Sequence, residues 1–326
     1  MEMGSSESFG AAAYGGEGWQ PRQRSHRQEL GSLWAACGQD SEWRKLRSVL
    51  LHRPGAEILP ASHHNAALQL APLDLGRAQE EHDRMAEAYR SAGVEVHFID
   101  ASEPLRPNQM FCADLMFMTR EGVILARPAS TQRAGEERLV ATKLAQMGIP
   151  ILRTLTGTAT FEGADAMWLD ERTVVVGKGL RTNEEGARQL SAALADLGVA
   201  TLVVDLPYGT MHLMGMLRIL DKDLALGWPR RTPFACVAAL RERGFRVAFV
   251  PDELEAQRGR ALNLVALGPR KVLMVAGCPQ AQALYEGLGV ECLTTPAQEL
   301  SKAAGAVGCL TGVLHRQIAD GAPKAP

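Results

Sequence analysis

The chain has 326 residues, 46% of them hydrophobic, a formal net charge of -2 and a pI near 6.5. This is a globular composition, sufficient for one large domain or two. The charge supplies no general attraction to nucleic acid or anionic lipid, and no apolar run is long enough to span a bilayer, so neither nucleic acid nor membrane is an expected partner. Cys37, Cys112, Cys236, Cys278, Cys292 and Cys309 are scattered, form no CxxC pair and follow no signal peptide. That usage points to a reducing cytoplasm and to neither a disulfide framework nor a zinc site.

Residues 1–44 are rich in Gly, Ser, Ala and Glu and then in Arg, with too little apolar periodicity to build a core. They read as a flexible N-terminal arm, in which residues 32–37 form a short helix that docks on the body or on a second copy in a homodimer. From Leu46 onward short β-branched runs alternate with amphipathic stretches. Strands are expected at 47–53, 94–100, 116–119, 123–128, 150–155, 166–170, 173–178, 201–206, 217–220, 224–228, 246–250, 262–267, 272–276, 290–293 and 306–314. Helices are expected at 75–92, 134–147, 183–197, 233–244 and 280–288, most closed by Gly before the next strand. Tight turns such as Asp170-Glu171-Arg172 and Asp221-Lys222-Asp223 pair two strands before each helix, so the unit is ββαβ. About five units fit residues 45–326, which predicts one α/β domain, a closed ring of small mixed sheets with helices outside.

Three segments carry chemistry. Phe161-Glu162-Gly163-Ala164-Asp165, Met211-His212-Leu213 and Gly308-Cys309-Leu310-Thr311 set a carboxylate, an imidazole and a thiol where strands meet loops. A buried free cysteine is ordinarily a small hydrophobe, and Cys236, Cys278 and Cys292 sit in apolar stretches that fit this. His52, His63, His64, His82, His97 and His315 have no such motif around them and read as scaffold or surface. Asp114 lies in an apolar run, where a carboxylate is costly unless paired.

The ββαβ repeat, together with Val49-Leu50-Leu51-His52-Arg53-Pro54-Gly55, Pro107-Asn108-Gln109-Met110-Phe111-Cys112-Ala113-Asp114, Arg127-Pro128, Arg133, Gly179-Leu180-Arg181-Thr182-Asn183 and the three segments above, resembles the guanidine-modifying (pentein) superfamily. Within it the resemblance is to the arginine deiminase and dimethylarginine dimethylaminohydrolase branch, and it covers everything but the arm. It implies a five-bladed α/β-propeller of pseudo-five-fold symmetry. It also implies a cysteine-dependent hydrolase on the guanidino group of arginine or an arginine derivative, giving a ureido product plus ammonia or amine, with no cofactor and no metal.

Residue by residue, the resemblance makes Cys309 the nucleophile that forms an S-alkylamidino intermediate, His212 the acid and base, and Glu162 the group that orients His212. Asp114 grips the guanidinium through two parallel N–H bonds, and Arg133 and Arg181 hold the substrate's carboxylate. Asn108 stands where the hydrolases tend to have Asp. Met214 stands where deiminases have a second guanidinium-gripping Asp, a departure that makes that face of the pocket apolar. Ala113 replaces an Arg, and Ala164 replaces a Gly. An amidinotransferase sharing the covalent half-reaction is the alternative. A non-catalytic member of the fold is the third reading, opposed by the joint presence of Asp114, Glu162, His212 and Cys309.

Overall fold

The computed structural model describes residues 9–60, 62–100 and 105–319. Its architecture follows from one repeated unit, which β6 (Ala166–Asp170), β7 (Thr173–Lys178) and β8 (Ala200–Asp205) illustrate. β6 and β7 pair antiparallel across a turn closed by Asp170 Oδ1, which accepts from Arg172 N at 2.8 Å. The helix Glu184–Asp196 then starts at Asn183, whose side chain accepts from Gly186 N, and carries two acids in its first turn against the helix dipole. It stops before Gly198, whose φ of 70° only glycine adopts at little cost, and the chain returns as β8, parallel to β7.

The unit recurs with β3 (Met116–Met118), β4 (Val123–Leu125) and β5 (Ile151–Thr154); with β9 (Leu217–Asp221), β10 (Leu224–Gly227) and β11 (Arg246–Phe249); and with β12 (Val265–Gly268), β13 (Lys271–Val275) and β14 (Glu291–Thr295). The fifth blade closes the ring: β15 (Gly312–Arg316), from the end of the chain, pairs antiparallel with β1 (Leu46–Leu51), which pairs parallel with β2 (Glu95–Phe98). Five three-stranded sheets result, the five-bladed α/β-propeller expected of the sequence. Each blade packs its helix on apolar strand residues, as Leu190 and Leu194 do on Trp168, Val174 and Val176. Arg316, 2% exposed, links the closing strand to its neighbours by donating from Nη1 to Arg44 O (2.9 Å) and Ala266 O (2.7 Å).

Two sequence expectations need correction. Residues 35–44 are not a free arm: Ala35 N donates to Gly148 O, Gln39 N to Thr119 O, and Glu42 accepts from Trp168 N, while Cys37 lies in a core cluster with Leu50 and Leu314. These polar residues satisfy backbone groups of the body, a role composition does not reveal, and 32–37 form turns rather than a helix. The run 306–314 is likewise not one strand. Val307–Leu310 is a helical turn, followed by β15. A short helix at Glu253–Gln257, capped by Asp252, joins the expected set.

Gly163 is a tight point of the ring. A Cβ there would meet Met116 O at 2.1 Å and Ala113 O at 2.4 Å, both backbone atoms that cannot rotate away. Gly163→Ala is expected to cost about 1–3 kcal/mol through overpacking. It should also lower activity, because Glu162 moves with it; an unchanged melting temperature by calorimetry would contradict this.

Candidate active site

The segment leading into the first strand of each blade ends close to the same place. Asp114 comes from the turn Cys112–Asp114 before β3, Glu162 from the residue before Gly163–Asp165 and β6, and His212 from the residue before Leu213–Gly215 and β9. Asn263 precedes β12, and Cys309 sits in the turn before β15. One functional side chain per blade is therefore delivered by the same step of the repeat.

His212 Nε2 is 2.7 Å from Glu162 Oε2, and its Nδ1 is 3.9 Å from Asp114 Oδ1. Arg133 Nη1 donates to Asp114 Oδ2 (2.7 Å) and Glu162 Oε2 (3.2 Å), and its Nε donates to Glu136 Oε2 (2.8 Å). Arg181 Nη1 donates to both oxygens of Glu162, at 3.1 and 3.2 Å. Asp114, Arg133, Glu162, Arg181 and His212 are all buried. Asp114 Oδ1 and Arg133 Nη2 are buried with no partner. One of the two Asp114 oxygens is thus committed to Arg133, and the other is left as an acceptor.

Cys309 is held by Asn263, which the sequence reading passed over. Asn263 Oδ1 accepts from Gly308 N (2.7 Å) and Cys309 N (3.1 Å), which closes the turn and fixes the amide so that Nδ2 donates to Cys309 Sγ at 3.0 Å. Gly308 is required beside it, since a Cβ would lie 2.2 Å from Arg218 Nη2. The available signal was the repeat: the four other pre-strand segments carried motifs, and the one before β12 was left unread.

Two chambers meet at this point, both lined by Met211, His212, Ala304 and Cys309. The small one holds Asn108, Asp114, Arg133 and Arg181 and has about 20 Å³ free, close to the space of one water. Asn108 Nδ2 donates to Ala67 O at 2.9 Å, so its side chain is anchored to the wall. The large chamber has about 590 Å³, within the ~300–1,000 Å³ of ligand pockets. Met214 lines neither. It faces a separate cavity with Glu42, Arg218 and Arg316, because the turn Leu213–Gly215 carries it past the site. The apolar wall expected of Met214 is supplied instead by Met211 and Met216.

Electrostatics separate the roles. Burial alone would lower His212, but Asp114, Asp165 and Glu162 outweigh it and raise its pKa to about 9. Burial alone would raise Glu162, but the hydrogen bond from His212 and the charges of Arg133, His212 and Arg181 hold it well below the usual carboxylate range. Burial, then Asp114, push the Cys309 thiol up, against the Asn263 hydrogen bond, the backbone at Ala306 and the charge of Arg218. Burial raises Asp165 to about 7, although Thr182 Oγ1 donates to it at 2.6 Å. Asp114, Glu162 and His212 offer ligand atoms within 4.8 Å of one another, a spacing a divalent cation accepts. The positive charge between the two carboxylates in this structure is that of Arg133.

Comparison with known proteins agrees with this geometry. Residues 72–226 match the family described as N,N dimethylarginine dimethylhydrolase, eukaryotic. A dimethylarginine dimethylaminohydrolase of Streptomyces coelicolor is 28% identical over 84% of this chain and 99% of its own. An arginine deiminase of Rhodococcus erythropolis is 24% identical over 86% of this chain and 97% of its own. Among solved structures, a Cys→Ser mutant of the Pseudomonas aeruginosa dimethylarginine dimethylaminohydrolase complexed with citrulline superposes with a TM-score of 0.70 at 23% identity, covering 84% of this chain and 100% of that one. An amidinotransferase of saxitoxin biosynthesis from Microseira wollei gives 0.70 at 16% identity, covering 87% and 98%. By these matches the chain is similar to the guanidine-modifying (pentein) enzymes and shares their five-bladed α/β-propeller fold.

With the charged His212 as the acid that the resemblance implies, activity is expected to fall as pH rises through about 9. Glu162→Gln removes a carboxylate that raises the His212 pKa, so this alkaline limb should move to lower pH and kcat should fall far more than KM rises. A limb that stays in place in a pH–rate profile would mean that another group titrates there. Asn263→Ala removes the donor to Sγ and should raise the thiol pKa of Cys309, seen as slower iodoacetamide alkylation at a given pH.

Proposed function

We propose that the protein is a cysteine-dependent hydrolase of guanidino C–N bonds, acting on arginine or an arginine derivative. The observation that carries this reading is the convergence of a thiol, an imidazole and the unpartnered Oδ1 of Asp114 on one pair of joined chambers. A guanidinium is planar, cationic and a poor electrophile, so it must be held still while a thiolate approaches its carbon. Asp114 Oδ1 accepts one N–H of the guanidinium, and the arriving charge offsets the Asp114 carboxylate that raises the Cys309 pKa.

Cys309 gives its thiol proton to solvent through the large chamber, His212 being already charged, and the thiolate adds to the amidino carbon with Asn263 Nδ2 directed at the sulfur. The C–N bond to the leaving nitrogen breaks as His212, held charged by Glu162, delivers its proton. The S-alkylamidino adduct remains on Cys309. Neutral His212 next removes a proton from water, the hydroxide adds to the same carbon, and the thiolate leaves with release of a ureido product. Arg133 and Arg181, to which the resemblance gives the substrate's carboxylate, are bound to Asp114 and Glu162, and the small chamber they line has about 20 Å³ free, so they are assigned to holding those carboxylates in place.

Residues 35–319 are assigned to one catalytic domain. All six cysteines are unpaired, which supports a cytoplasmic site of action. No helix among the described residues is long and apolar enough to cross a membrane. Exposed Tyr14, Trp19 and Leu33 support a homodimer through the N-terminal segment, to be checked by light scattering with residues 1–34 removed. Absence of a nucleic-acid partner is proposed from the net charge of -2.

A screen of guanidino compounds for ureido product, with and without added amines, tests hydrolysis against amidino transfer. Cys309→Ala and Cys309→Ser should fold and show background activity, and acid-quenched wild type should carry an amidino adduct on Cys309 alone by mass spectrometry. Near-normal turnover by Cys309→Ser, or an adduct on Cys112, would remove Cys309 from the mechanism.

A further inference from the structure

The charge of the large chamber is one-sided. Apart from His212 and Cys309, its ionisable lining side chains are Arg231, Arg258, Arg260 and Lys302, with no Asp or Glu among them. Lys302 is already matched, since Nζ lies 2.8 Å from both oxygens of Glu299. The other three have no carboxylate at ion-pair distance among the described residues. Arg231 lies over the ring of Trp228, 5.1 Å from its centroid, and its Nη1 reaches Gly209 O at 3.4 Å. Arg258 is exposed, and only its backbone N–H is hydrogen-bonded, to Leu254 O at 2.7 Å.

Arg260 is the most informative of the three. It is half-buried, its Nε is buried without a partner, and its backbone sits at φ 59°, a strained conformation for a non-glycine residue. The strain is held in place by the next functional position, since Asn263 N donates to Arg260 O at 2.7 Å. Burial lowers the pKa of Arg260 and Cys309 acts against it, which places the guanidinium in the electrostatic field of the nucleophile. A half-buried, unmatched cation beside a roomy chamber is costly unless an anion arrives.

We propose that the large chamber holds the guanidine's substituent, that this substituent ends in a carboxylate received by Arg260 and Arg258, and that it lacks a free ammonium group. The substrate class is therefore a guanidino acid whose amine is absent or acylated. This rests on the guanidino reading above and refines its substrate. A free α-amino group would bring a cation into a chamber with three unmatched arginines and no acid to receive it. Arginine should accordingly bind less well than its deaminated or acylated counterparts. An ω-guanidino amine should bind worst of all.

The test is isothermal calorimetry on the full-length Cys309→Ala protein, which removes turnover, with 5-guanidinopentanoate, Nα-acetylarginine, arginine, agmatine and n-butylguanidine. The first two are expected to bind roughly tenfold or more tighter than arginine and n-butylguanidine, the scale of one charge-assisted interaction, with agmatine weakest. Arg258→Gln combined with Arg260→Gln should reduce the ratio of 5-guanidinopentanoate to n-butylguanidine affinity to near one. Arginine binding as tightly as 5-guanidinopentanoate would overturn the proposal. So would a carboxylate preference that survives the double substitution but is lost in Arg181→Gln, because the tail would then lie in the small chamber. The same compounds given to wild type separate the two readings: binding with the expected order but no ureido product from any compound would overturn the hydrolase and leave the chamber assignment standing.

Discussion

The site depends on a single buried carboxylate, that of Glu162. Its Oε2 takes the His212 imidazole and Arg133, its Oε1 takes the backbone N–H of Ala129, and Arg181 Nη1 spans both. Three cationic side chains from separate segments are thereby held by one anion. Such an arrangement contributes little net stability, because desolvating the charges offsets most of the attraction, but deleting the shared partner leaves Arg181 buried without an ion pair, at about 3–5 kcal/mol, while Arg133 keeps Asp114 and Glu136. The segment that carries Glu162 is pressed against the Asp114 turn where Gly163 leaves no room for a side chain. Position and charge of the imidazole are thus set by backbone packing, and only then by its hydrogen bond.

The same cluster carries a reserve of negative charge. Burial raises Glu136 to about 7, against the pull of Arg133, and Asp165 behaves alike. Near neutral pH each is therefore partly protonated, and the protons belong to the coupled cluster more than to either residue. A guanidinium entering beside Asp114 favours the ionised forms of both. Entry of that cation and ionisation of these two acids therefore favour each other. The raised His212 pKa depends on that balance, since Asp114, Asp165 and Glu162 all act on it.

Most of the architecture was legible because each blade repeats one local grammar. A hairpin turn with Asp or Gly, a helix capped by Asn183 or Asp74, and a glycine such as Gly93 or Gly198 before the returning strand are all decided by neighbours in sequence. What sequence left hidden lies where distant segments meet. The turn at Val307–Leu310 reads as strand until Asn263, 46 positions away from Cys309, accepts its backbone N–H groups. Met214 stands where the resemblance puts a second guanidinium-gripping Asp, yet one 3-10 turn directs it to another cavity. Residues 35–44 look like a polar tail because their partners, Gly148, Thr119 and Trp168, belong to other blades. The charge of the large chamber was equally invisible, since Arg231 and the Arg258–Arg260 stretch lie apart in sequence and acquire meaning only when no acid is found opposite them.

A repeated backbone that brings one pre-strand segment per blade to the site makes the chemistry a matter of residue identity in five such segments. Asp114, Glu162, His212, Asn263 and Cys309 come from these segments, at different offsets from the strand that follows, and the proposed reaction uses them as guanidinium acceptor, orienting anion, proton carrier, turn clamp and nucleophile. The scaffold needs no rearrangement to pass from one guanidine to another, because substitution at the adjoining chamber walls changes what fits while the five positions stay fixed. Asp114 shows the limit of that freedom. With Oδ2 held by Arg133 it offers a single oxygen to a substrate, a grip that fixes the guanidinium's direction without demanding that both of its terminal nitrogens be unsubstituted. Discrimination among guanidines must then fall to the chambers on either side of Cys309, and of these only the larger has room for a substituent without displacing Arg133.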